Sequence, residues 1–189
     1  MSLVFEEAKG IIIQEAGALL DSIDREEAQR FIDTMEKDWK DRRLFFWARG
    51  RSFLVLRGFA MRLMHMGYEV HLVGEPDCPS IRKGDVLVTA SGSGSTSSLL
   101  LFCEKAKREG AMIASLIGHG GSPLETIADC TVVFHPERCP DSVQLFSSGG
   151  GTRFEHALSF FFDACILSLL YDRREEAYRE MMLRHANLE

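Results

Sequence analysis

Three things are scarce in this chain of 189 residues. It has no basic stretch near its start, no apolar run approaching about 18 residues, and no Cys-x-x-Cys pair among its five cysteines. The first two absences lead us to expect a cytoplasmic protein with no membrane partner. The third, with the odd set Cys78, Cys103, Cys130, Cys139 and Cys165, argues against a disulfide framework or a structural zinc and for a reducing compartment. Three of these thiols fall in apolar runs and are expected to be buried and inert. Excess positive charge is missing too. A formal net charge of −6 makes nucleic acid and anionic membranes poor partners, so a phosphate ligand has to be held by local donors rather than a global field. Nucleotide signatures are also lacking. No Gly-Lys-Ser/Thr follows the glycine-rich loop, and the Gly-x-Gly-x-x-Gly spacing fails at Ser97.

What is present is a globular composition, 46% apolar and 26% charged, on a length that suits one domain with a substantial core. The most informative stretch begins at Asp85. Residues 85–90 form a short β-branched apolar run, and from Ser98 an amphipathic helical pattern runs to Gly110. Between them stand Ser91, Gly92, Ser93, Gly94, Ser95 and Thr96. Two glycines let backbone approach an anion closely, the helix start offers unpaired N–H groups, and the hydroxyls can donate. A flexible linker would not be six residues long and wedged between a strand and a helix. The loop is expected to cradle a phosphate monoester.

Strand and helix patterns alternate along the rest of the chain. Residues 3–40 read as a helical pair, the second helix starting at Asp24 and Glu27; its packing partner, own sheet or neighbouring subunit, stays open. Leu44–Trp47 is an apolar strand, Ala48–Ser52 a loop and Phe53–Met66 a helix closed by Gly67. Strands follow at 68–73, 85–90, 111–116 and 130–134, with a short helix at Ser122, Pro123, Leu124 and Glu125. After a polar loop that reaches Gly149, Gly150 and Gly151, Thr152 caps a long helix, and a charged helix begins at Arg174. The order predicts an α/β three-layer sandwich around a doubly wound parallel sheet, with ligands at the carboxyl ends of its strands. The loop holding Gly50, Arg51 and Ser52 and the loop from Ser91 to Thr96 both fall there. We divide the chain into an N-terminal helical segment, 1–42, and an α/β part that carries the anion loop, 43–189, of one globular unit.

Glu155 lies in the first turn of the long helix. It can be a base, or simply an acid favourably placed at a helix N-terminus; spacing alone leaves both open. Arg51 can hold a ligand oxygen or make a strand-end salt bridge. His65, His119 and His185 are the histidines considered as acids, against the ordinary expectation of a structural role.

From about Phe45 onward the chain resembles the sugar isomerase (SIS) domain family, most closely its 6-phospho-3-hexuloisomerases. The likeness rests on Gly50, Arg51 and Ser52; on residues 59–67, Phe-Ala-Met-Arg-Leu-Met-His-Met-Gly; and on Val73, Gly74 and Glu75 with Pro79. It continues through Gly84 and Asp85, the Ser91–Thr96 loop, Ser122, Pro123 and Leu124 with Ala128 and Asp129. Gly151 and Thr152 with Phe154 and Glu155, and the tail Arg184, His185, Ala186, Asn187 and Leu188, complete it. The resemblance implies a five-stranded sheet, a sugar phosphate ligand, no metal or organic cofactor, and a homodimer or homotetramer with sites near subunit interfaces. It implies interconversion of D-arabino-hex-3-ulose 6-phosphate and D-fructose 6-phosphate through a cis-enediol. Glu155 would be the base and His185, reaching a neighbour's site, the first choice of acid, ahead of His65. Ser52 and the Ser91–Thr96 loop would hold the phosphate. A sensor module without catalysis and an aldose–ketose phosphate isomerase are the competing readings. The chain departs from the family at Ala48, Phe53, Ser95 and Gly149–Gly150, all beside the expected pocket.

Overall fold

The computed structural model describes residues 4–140 and 152–188. Gly149 and Gly150, where the chain departs from the family, lie outside the described residues. Five strands, β1 (Arg43–Ala48), β2 (Glu69–Leu72), β3 (Val86–Ser91), β4 (Met112–Ile117) and β5 (Cys130–Val133), form one wholly parallel sheet in the order β2-β1-β3-β4-β5. The helices are α1 (Phe5–Asp21), α2 (Arg25–Lys37), α3 (Gly50–His65), α4 (Ser97–Arg108), α5 (Pro123–Ile127), α6 (Thr152–Leu170) and α7 (Arg174–Met182).

Alternation along the strands divides the core in two. Leu44, Phe46 and Ala48 of β1 join Val86, Val88 and Ala90 of β3 on one face, with Leu56, Phe59 and Leu63 of α3 and Phe161 and Cys165 of α6. Phe45 and Leu87 point to the other face, with Ile113, Ile117, and Leu99 and Cys103 of α4. The expected sandwich is therefore present. Right-handed crossovers explain which helix covers which face. The chain steps from β1 to β2 in one direction through α3, and from β3 to β4 and β5 in the other through α4 and α5, so the helices fall on opposite sides. The direction reverses between β1 and β3, and the loops leaving these two strands part there to leave a crevice. At the opposite end of the same strands Arg43 grips Asp85 through hydrogen bonds of 3.0 and 2.6 Å, pinning β1 beside β3.

Within the chain, α2 packs on the sheet at β5 and α1 lies along α6. Asp24 caps α2 by accepting from the Glu26 N–H at 2.8 Å. Phe31 and Met35 of α2, and Trp39 just beyond it, are fully buried in the same core as the sheet. The Glu27 carboxylate accepts the Val133 N–H of edge strand β5 at 3.0 Å, blunting that edge.

Helix α6 qualifies the expectation drawn from apolar runs. Arg153–Met182, which continues it, is the one stretch among the described residues long and apolar enough to cross a membrane by length and composition. Its Phe154, Ala157, Leu158, Phe161, Phe162, Cys165 and Ile166 are buried against the sheet and α3, as in the core helix of a layered fold. All five cysteines are free and four are buried; loss of hydration pushes Cys103 and Cys165 up to about 12, leaving both unreactive at neutral pH.

Candidate active site

Two uncapped helix starts meet at the crevice. Helix α3 begins at Gly50, three residues earlier than the sequence suggested, so Gly50, Arg51 and Ser52 form its first turn rather than a loop. Gly50 makes this possible with φ +59°, a left-handed turn directly after β1. The N-cap residues Arg49 of α3 and Thr96 of α4 make no side-chain capping bond, which leaves both positive helix ends turned toward a small cavity of about 130 Å³. Ser52, Ser91, Gly92, Ser93 and Thr96 line it, together with Arg49 at the start of the first loop and with Ala90 and Leu99, which were not among the expected ligands. Small-molecule pockets commonly span roughly 300–1,000 Å³, so this cavity suits the phosphoryl end of a ligand rather than a whole sugar.

The loop from Ser91 to Thr96 is held from beneath. Ser91 is nearly buried and its Oγ accepts the Gly94 N–H at 3.1 Å; Ser93 Oγ accepts from Ser95 N at 3.3 Å. Gly94 turns the chain at φ +61°, and a Cβ there would stand 2.2 Å from Ser122 Oγ. Leu124 N donates to Gly94 O at 3.0 Å, tying the loop to α5. Gly118 donates to Ser91 O at 3.1 Å, and a Cβ at Gly118 would meet Gly92 O at 2.4 Å. Gly118 and Ser122 thus shape the cradle without lining it. Their signal is the register: Ser91 pairs with Ile117, which sets Gly118 opposite Gly92. Gly94 serves as the turn, and Ser95 is exposed and away from the cavity.

Glu155 stands beside the cradle, in the first turn of α6. Ser52 Oγ donates to its Oε1 at 3.0 Å and Arg51 Nη2 to its Oε2 at 3.1 Å. Phe154 packs beneath Gly92, keeping the start of α6 against the loop. The strand-end salt bridge considered for Arg51 is present, with Glu155 as its partner. Phe53 packs edge-on against Trp47, centroids 5.3 Å apart, beneath the Arg57 guanidinium, and is not among the residues lining the cavity.

The histidines divide. His119 follows Gly118 on the loop after β4, exposed beside the cradle. His65 ends α3, thirteen residues beyond Ser52, or about 20 Å along the helix. His185 stacks on His65 with ring centroids 5.1 Å apart, and Arg184 donates to His65 O at 3.3 Å. Within one chain, then, neither His65 nor His185 reaches Glu155. Both line a cavity of about 500 Å³ at the far end of α3, walled by Met61, Ile166, Tyr178 and Met182. Burial, and after it the charges of His185 and Arg62, lowers the His65 pKa below 6.5.

The SIS domain model matches residues 39–149, and the chain belongs to the SIS domain family. It is 41% identical over 148 residues to a 3-hexulose-6-phosphate isomerase of Mycobacterium gastri, covering 78% of this chain and 74% of that one. A Bacillus subtilis protein of the same name is 36% identical over 174 residues, 88% and 89% of the two chains. Among solved structures, a Methanococcus jannaschii protein, whose structure infers a function of 3-hexulose-6-phosphate isomerase, superposes with a TM-score of 0.75. It is 29% identical, over 97% of this chain and 99% of that one.

Proposed function

We propose that this phosphosugar isomerase interconverts D-arabino-hex-3-ulose 6-phosphate and D-fructose 6-phosphate, with Glu155 as the base. The observation that carries the reading is the adjacency of Glu155 to the anion cradle: Ser52 lines the cavity and donates to the carboxylate at 3.0 Å. A phosphate held by Ser52, Ser91, Ser93 and Thr96 and the N–H groups opening α3 and α4 anchors the sugar by its far end. Starting from fructose 6-phosphate, Glu155 takes the proton on C3 and the electrons of that C–H bond form the C2=C3 bond of a cis-enediol. The hydroxyl proton on O3 passes to O2, and Glu155 returns its proton to C2, leaving the carbonyl at C3. One carboxylate on one face of the enediol serves both proton transfers, and the reaction needs no redox partner.

An acid that shuttles the hydroxyl proton completes the set. His185 is proposed for it, contributed by a second copy, because its own chain holds it about 20 Å from Ser52. Tyr178, Met182 and Leu183 beside it are exposed, 64%, 48% and 87%, an apolar surface that fits a subunit contact. The test is carbon NMR of fructose 6-phosphate labelled with carbon-13 at C3. Growth of a labelled keto carbon supports the reading. A label that stays a hydroxymethine while an aldose phosphate forms favours aldose–ketose isomerisation, and an unchanged spectrum with intact binding favours a sensor.

A further inference from the structure

Ser52 has two claims on a single proton. Its side chain lines the anion cavity, at 6% exposure, and the same hydroxyl donates to Glu155 Oε1 at 3.0 Å. A serine hydroxyl carries one hydrogen. It cannot donate to the carboxylate and to a phosphate oxygen at once. The other carboxylate oxygen is held by Arg51 Nη2 at 3.1 Å, from the preceding residue in the same helical turn.

We infer that Ser52 and Arg51 restrain Glu155 until a phosphate enters and surrender it then, so that filling the cradle releases the base. This rests on the reading of Glu155 as the base and deepens it. Arrival of the phosphate turns the Ser52 hydroxyl toward the stronger acceptor. Arg51, with five donors, is drawn toward the new negative charge. Glu155 loses hydrogen bonds that stabilise its charged form and is free to face the sugar carbon. A sugar without phosphate leaves the clamp closed. Ser52 and Arg51 are thus positioning residues for the base as well as ligands for the anion, and the coupling selects phosphorylated substrates at the proton-transfer step itself.

The coupling is read by calorimetry with inorganic phosphate alone, which involves no turnover, so its failure is separate from failure of the isomerase reading. If the carboxylate competes for the Ser52 proton, Glu155→Gln should tighten phosphate binding, by about tenfold, since a neutral amide is the weaker acceptor. In a Ser52→Ala background the same change should gain less than about twofold, because the contested proton is gone. An equal gain in both backgrounds would mean simple charge repulsion between Glu155 and phosphate and would overturn the inference. So would the lack of any gain. Arg51→Ala supplies a second background at an exposed position that the core does not need; there the gain should shrink as well, and an undiminished gain would remove Arg51 from the clamp.

Discussion

At the amino end of α3, Ser52, the uncapped starts of α3 and α4 and the ion-paired Glu155 carboxylate of α6 gather around a cavity of about 130 Å³. At its carboxyl end, about 20 Å away, it presents His65 stacked on His185 above a larger and mostly apolar cavity of about 500 Å³. The larger cavity is the poorer candidate for the chemistry. Its polar groups, Arg62, His65, Asp163, Arg174, Tyr178 and His185, include none that engages Glu155, whereas the small cavity concentrates hydroxyls and helix ends where an anion gains most from them. One chain therefore carries the proposed base and the proposed anion cradle together, and holds the proposed acid at the other end of the same helix. Size alone points to the carboxyl end; the convergence of donors favours the amino end.

The sharpest way to break this contrast is at the amino end. Glu155→Gln should lower turnover of fructose 6-phosphate by about 10³-fold, with the melting temperature kept, as removal of a general base does; a rate assay with a thermal scan reads both. At the carboxyl end His185→Ala should cost about 10²-fold in kcat while inorganic phosphate affinity holds within about twofold, since the cradle is distant. Mixing the Glu155→Gln and His185→Ala chains after denaturation and refolding should restore part of the activity if His185 acts on a second copy; two inactive parents giving an inactive mixture would place the acid elsewhere, with His119 next in line.

Ser52→Ala should raise KM by about tenfold through the loss of one charge-assisted hydrogen bond to phosphate. Gly118→Ala tests the cradle's support. Its Cβ would press on a backbone oxygen 2.4 Å away, which no side-chain rotation relieves, so the fold should lose about 2–3 kcal/mol and roughly 5–10 °C in Tm. The smallest effect belongs to His65. Because its folded pKa lies below 6.5, the unfolded chain takes up a proton first as pH falls through 6.5. Stability should therefore decline on acidification below that point until the folded pKa is passed, and His65→Gln should flatten that part of the Tm–pH curve.

The alternating layers were legible because each strand is a compact apolar run bounded by glycine or charge, and the loop from Ser91 to Thr96 was legible because strand, glycines and helix follow within a few residues. The start of α3 was not: Gly50 reads as a loop residue, and only its left-handed turn after β1 brings Arg51 and Ser52 into the helix. Nor does spacing reveal the bond between Ser52 and Glu155, 103 residues apart, or the seat of Gly118 against Gly92. Both depend on how α6 and β4 dock on β3. The resemblance named His185 but could not tell which end of α3 it would occupy, because a C-terminal tail is placed by tertiary contacts such as that of Arg184 with the His65 carbonyl.

Proton NMR of fructose 6-phosphate in D2O tests the central claim, that Glu155 at the cradle exchanges a carbon-bound proton, most directly. The account expects the C3 proton signal to fade with the wild-type chain and to persist with Glu155→Gln. Exchange confined to C1, or C3 exchange undiminished in Glu155→Gln, would contradict it.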